Sequence, residues 1–168
     1  MTISGSSFPD TGGVLLHPLS RGTVNLNITH PENTEPVVDY RTLSNPIDVE
    51  LIVEIIRFKR QYHFNTSLSA YGPNEISPGS DVLSDEKLAE VVTSGITPSE
   101  YHPIGTCAML PLALGGVVDE TLRVYGIDGL RIVDASVMPT LPGANTCQTV
   151  YAIAEKVRKS EEITREIC

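Results

Sequence analysis

Gly129-Leu130-Arg131-Ile132-Val133-Asp134-Ala135-Ser136-Val137-Met138-Pro139-Thr140-Leu141-Pro142-Gly143-Ala144-Asn145-Thr146 holds, in order, a short apolar strand, a connection broken by prolines and a glycine, and the start of a helix. Leu130 to Asp134 reads as the strand, entered from Gly129. The helix is predicted to begin near Thr146, with Ala152, Ile153, Ala154 and Val157 as buried positions and Lys156, Arg158 and Lys159 suited to its negative end. Working back toward the N-terminus, Gly116-Val117-Val118-Asp119 and Leu122-Arg123-Val124-Tyr125 read as two further short strands, with Gly126 punctuating the second.

Residues 1–13, rich in Ser, Gly, Thr and Pro, are expected to be a flexible lead-in, with an ordered domain over 14–168. Val14-Leu15-Leu16, Gly22 to Ile28 and Pro36 to Tyr40 show apolar runs or period-two alternation between turn residues, the pattern of short strands. Asn45-Pro46 can start a helix, predicted over 46–62, with Asp48 and Glu50 favouring the positive end of its dipole. Leu51, Ile52, Ile55, Ile56 and Phe58 supply its apolar face, and Arg57, Lys59 and Arg60 are expected to form a solvated one. Tyr71 to Gly79 is a run of turn formers and reads as a loop. Ser84 is predicted to cap a short helix that reaches about Thr93 and is stopped by Gly95.

The chain has 168 residues, a length that suits one domain and allows roughly 70% of the unfolded surface to be buried. A formal charge of -9 opposes nucleic acid phosphates and anionic lipid, whose affinity rests on Lys and Arg, so neither nucleic acid nor membrane is expected as a partner. Residues 1–13 lack the basic start and apolar run of a signal peptide, so the chain as given is expected in the cytoplasm, and outside the cell only as part of a longer precursor. Cys107, Cys147 and Cys168 show no CxxC pair and no His at ligand spacing, so no metal site is expected.

Tyr101-His102-Pro103-Ile104-Gly105-Thr106-Cys107-Ala108-Met109 places an imidazole beside a proline, a glycine and a hydroxyl. Pro103 pushes the backbone of His102 to extended geometry, giving the constrained stem that a catalytic base needs. An ordinary histidine in a Pro-Gly turn would look the same locally. With the 129–146 stretch, however, this segment resembles the C-terminal signature of the glucose-methanol-choline (GMC) flavin oxidoreductases. His17-Pro18-Leu19-Ser20-Arg21-Gly22-Thr23-Val24 and Tyr151-Ala152-Ile153-Ala154-Glu155-Lys156 agree, so the resemblance spans about Leu16 to Lys159. It is nearest to fungal members that oxidise aryl or other small alcohols.

The resemblance implies an α+β fold: a mostly antiparallel sheet of about five or six strands with helices packed on one face. It implies a small-molecule substrate carrying a CH-OH group, with His102 taking the hydroxyl proton while hydride passes to FAD. Asn145 stands where relatives carry His or Asn, and its amide would hold the substrate oxygen; as a helix N-cap it would serve the fold as well. Asp134 and Ala135 would lie along the ribityl and phosphate part of FAD, and Asn145, Thr146 and Cys147 near its ring. Strand end and helix start are the plain readings of these positions.

No G-x-G-x-x-G turn between strand and helix is present to receive the pyrophosphate of FAD, so this chain alone is not expected to hold the cofactor. Three readings follow: a fragment or separately encoded half of an alcohol oxidoreductase, completed by another polypeptide that carries the FAD-binding fold, a flavin-free isomerase, cyclase or dehydratase using His102 and Asn145, or a binding remnant without chemistry. The face left open toward a flavin domain would otherwise be covered in a homodimer.

Overall fold

Asn45 accepts the Ile47 N–H at 3.0 Å through its side-chain oxygen, and Pro46 has no N–H to satisfy, so α1 (Pro46–Phe64) begins where the sequence predicts. The computed structural model describes residues 2–5, 8–29 and 35–167 and divides into two units, Met1–Pro98 and Ser99–Cys168. In the first unit, Val53 and Ile56 of α1 form a core with Leu88 and Val92 of α2 (Asp85–Gly95). The Ser84 hydroxyl caps α2 as expected, accepting the Lys87 N–H at 3.4 Å. The buried stripe of α1 is narrower than its apolar residues suggest, because Leu51 and Phe58 are exposed.

Among the described residues, five strands make two antiparallel sheets rather than one. β1 (Thr2–Gly5) lies between β2 (Phe8–Thr11) and β5 (Pro73–Ser77), while β3 (Thr23–Asn25) pairs with β4 (Val37–Asp39) in the register Val24 to Val38. The α+β class therefore stands, but no sheet of five or six strands forms among the described residues. Residues read as a flexible lead-in supply β1 and β2, and residues read as a loop supply β5. Each lacks a strong strand composition: β2 takes its hydrogen bonds from adjacent β1, and β1 and β5 gain theirs from each other across some 70 residues. Met1, Ser6 and Ser7 lie outside the described residues. Val14 to Leu16, expected as a strand, joins no ladder. Gly22 runs so close to β4 that an added Cβ would sit 2.3 Å from the Asp39 carbonyl oxygen, which reserves the entry to β3 for glycine.

The basic residues of α1 are not a solvated face. Lys59 is buried and donates to the Thr11 carbonyl at 2.5 Å, and burial lowers its pKa. Arg60 donates to both oxygens of Glu75 on β5 at 2.8 to 3.2 Å and to the carbonyls of Gly79 and Val82 at 3.0 and 2.8 Å. Only Arg57, paired with Glu54 and Asp85, is largely at the surface. Periodicity cannot separate a fork aimed at a carboxylate from a charge in water.

Asp48 has a larger part than a favourable charge at a helix start. Its buried carboxylate accepts the Leu19 N–H at 2.7 Å, the Ser20 N–H at 2.8 Å and the Ser20 hydroxyl at 2.5 Å, tying the His17 to Gly22 segment to α1. Burial pushes this carboxyl up, but those donors and the charge of Arg21 outweigh it and hold the group below its usual value. A depressed folded-state pKa contributes stability that is complete above the unfolded value, near 4, and is lost as the pH falls toward the folded one. Asp48→Ala is expected to lower unfolding free energy by about 1.5–3 kcal/mol at pH 7 and to soften the acid limb of the stability profile. Denaturant titrations across pH 2 to 7 on variant and parent check both; superimposable acid limbs would remove Asp48 from the account.

The second unit has one long helix, α3 (Cys147–Ile167), packed through Ile153 and Val157 against Val118, Leu122 and Val137. Ala152 and Ala154, expected to be buried, are exposed. The three segments read as strands after Gly115 meet only in isolated bridges, Met109 to Val118, Val118 to Val124 and Arg123 to Arg131. Leu122, Gly126 and Gly129 take left-handed backbone at φ 63, 75 and 77, turning the chain before a ladder can extend. Gly116 lets the chain pass against Leu110, whose carbonyl oxygen would lie 1.8 Å from an added Cβ.

Candidate functional site

Tyr101 takes left-handed backbone at φ 64, and its N–H donates to the Ser99 hydroxyl at 3.0 Å. Such backbone is costly for a side chain with a Cβ, by about 1–3 kcal/mol, and Pro103 restricts the next residue from the other side. His102 is thus held between two constrained neighbours, its imidazole half-buried. Beyond it, the Cys107 N–H donates to the Ser136 carbonyl at 3.0 Å and the Met109 N–H to the Val137 carbonyl at 2.8 Å. These bonds lay the His102 segment alongside residues 134–138, so the two signature stretches are neighbours in space.

Asp134 caps the 3₁₀ turn Ala135–Val137, its Oδ1 accepting the Ser136 N–H at 2.8 Å and the Ser136 hydroxyl at 2.5 Å. The carboxylate is exposed and Ala135 half-buried. At the head of α3 the Thr146 carbonyl accepts the Val150 N–H at 2.9 Å, and the Thr146 side chain is buried. Its hydroxyl shares a 2.9 Å hydrogen bond with Nδ1 of His102. The head of α3 thus meets the imidazole of His102, while residues 134–138 lie beside the continuation of the His102 segment.

Among the residues expected to act, the structure joins His102 to Thr146 and sets Asp134 and Ala135 beside the continuation of the His102 segment. Asn145 is exposed, and its side chain makes no hydrogen bond among the described residues, so it does not cap α3. Cys147 is an exposed free thiol and Cys107 a partly buried one; Cys168 lies outside the described residues. No cluster of His, Cys, Asp and Glu suited to a metal occurs among the described residues. Glu155 on α3 offers no proton near neutrality, because the hydrogen bond from Arg158, with the charges of Arg158 and Lys159, lowers its pKa to about 2. The tie between His102 and Thr146 was not readable from sequence: 44 residues separate the pair, and Thr146 carries no local sign of a partner.

A family model described as GMC oxidoreductase matches residues 18–154. Dehydrogenase xptC of Emericella nidulans is 37% identical over 139 residues, a match covering 83% of this chain and 22% of that protein. A solved fungal aryl-alcohol oxidase superposes with a TM-score of 0.78 at 51% identity, over 85% of this chain and 23% of that one. An FAD-dependent oxidoreductase from Chaetomium thermophilum superposes with a TM-score of 0.81 at 37% identity, over 90% of this chain and 26% of that one. The chain thus spans about a quarter of the length of these relatives.

Proposed function

The chain belongs to the GMC oxidoreductase family, whose cofactor is FAD, and from that membership we propose that it forms the substrate and active-site part of an enzyme oxidising the CH-OH group of a small molecule. The anchored imidazole of His102, inside the family's own signature, carries this reading. His102 takes the hydroxyl proton of the substrate, and the Asn145 amide, with no partner of its own among the described residues, is available to hold the oxygen from which that proton leaves.

Exposed Asp134, Asn145 and Cys147, with half-buried Ala135, suit one flank of a flavin, and the first turn of α3 adds backbone N–H groups that its own helix leaves open. Bound there, FAD would supply the acceptor for the substrate's hydride. These contacts lack the glycine-rich turn that grips a pyrophosphate, so in our reading the remaining contacts come from a flavin-binding part outside these 168 residues. No helix among the described residues is long and apolar enough to cross a membrane.

The purified chain is expected to carry no stoichiometric FAD, and alcohol oxidation is expected only once a complementary flavin domain is supplied. Flavin absorbance, followed by oxidase assays on aryl and other small alcohols, checks both points. One flavin per chain with alcohol turnover would overturn the account of the missing contacts. Turnover of a non-redox substrate without flavin would replace it with acid-base chemistry by His102 and Asn145.

A further inference from the structure

We propose that Thr146 is the positioning residue for His102: its hydroxyl accepts the Nδ1–H, leaving Nε2 as the nitrogen that takes the substrate proton. The inference rests on the reading of His102 as the base. Thr146 stands immediately before α3, where a threonine hydroxyl commonly accepts an N–H from the first turn of its own helix. Here the hydroxyl is turned instead to an imidazole 44 residues away, at 2.9 Å, and the threonine is only 6% exposed.

A neutral imidazole has one donor and one acceptor nitrogen, and the bond made by one nitrogen decides what the other can do. If the hydroxyl accepts from Nδ1–H, Nε2 keeps its lone pair and is a base. If the hydroxyl donates to Nδ1, Nε2 carries the proton and has nothing to accept with. A hydroxyl that accepts from Nδ1–H keeps that bond when Nε2 gains a proton, because the imidazolium donates from both nitrogens. With Tyr101 and Pro103 restricting the backbone around His102, side-chain rotation is the main freedom left, and Thr146 removes it.

Long-range proton-nitrogen NMR on the ¹⁵N-labelled full chain, at a pH where His102 is neutral, reads the tautomer directly. The expected result is protonated Nδ1 and unprotonated Nε2 in the parent and in Thr146→Ser, with the population shifting toward protonated Nε2 in Thr146→Val. Protonated Nε2 in the parent, or an unchanged tautomer in Thr146→Val, would overturn the proposal. If Thr146→Val fails to fold, the tautomer of the parent still decides. No flavin is needed, and an unchanged tautomer in Thr146→Val would remove Thr146 as the positioning residue while leaving the base assignment standing. Conversely, a flavin-loaded His102→Ala protein that kept full activity would sink the base while leaving the tautomer as measured.

Discussion

His102→Ala is expected to lower alcohol turnover of the flavin-loaded protein by about 10²–10⁴-fold, the usual contribution of a positioned general base. That range corresponds to about 3–5 kcal/mol of barrier. The loss should fall on kcat more than on KM, because proton removal belongs to the chemical step and Asn145 remains to meet the substrate oxygen. The Thr146 hydroxyl loses its imidazole partner in the variant, so far-UV circular dichroism and thermal unfolding should accompany the kinetics to separate chemistry from folding. Unchanged kcat in a folded variant would take the imidazole out of the reaction.

Arg60→Ala is expected to destabilise the first unit by about 3–5 kcal/mol, the range for breaking a buried ion pair. Total stabilities of domains are only about 5–15 kcal/mol, so this one change could leave the unit marginal. The Glu75 side chain is 2% exposed, and without Arg60 its carboxylate would be buried with no paired cation among the described residues, while the Gly79 and Val82 carbonyls would lose their guanidinium donors. Arg60→Lys should recover only part of the loss, since an ammonium is a point charge and cannot span carboxylate and carbonyls as a planar fork does. Arg60→Met combined with Glu75→Leu should recover more, because it removes both desolvated charges together. Urea unfolding of the three variants gives the order; an Arg60→Ala midpoint equal to that of the parent would show that the fork contributes nothing.

The starts of α1 and α2 were legible because their signals are local. Asn45 with Pro46, and Ser84 ahead of Asp85 and Glu86, satisfy N–H groups within four residues, so neither needs the rest of the fold. The signature segments around His102 and Asp134 were legible for a different reason: the resemblance depends on residue order alone, and the family match over residues 18–154 follows from that order. The strands were half legible. β3 and β4 fall inside segments that alternate as strands do, whereas the segments after Gly115 alternate equally well and make only single bridges, since left-handed turns interrupt them.

By itself, then, the sequence determined the family, the α+β class and the starts of α1 and α2, and it singled out His102 for the role proposed above. Tertiary structure alone decided that β1, β2 and β5 form a sheet, that Arg60 meets Glu75, that Asp48 holds the Leu19-Ser20 backbone, and that Thr146 shares a hydrogen bond with His102. Helix caps act over one turn of chain, so the residues that make them are written side by side. The β1–β5 pairing, a buried charge pair or a hydroxyl set against an imidazole joins residues 15 to some 75 positions apart, and packing chooses among many chemically equivalent candidates.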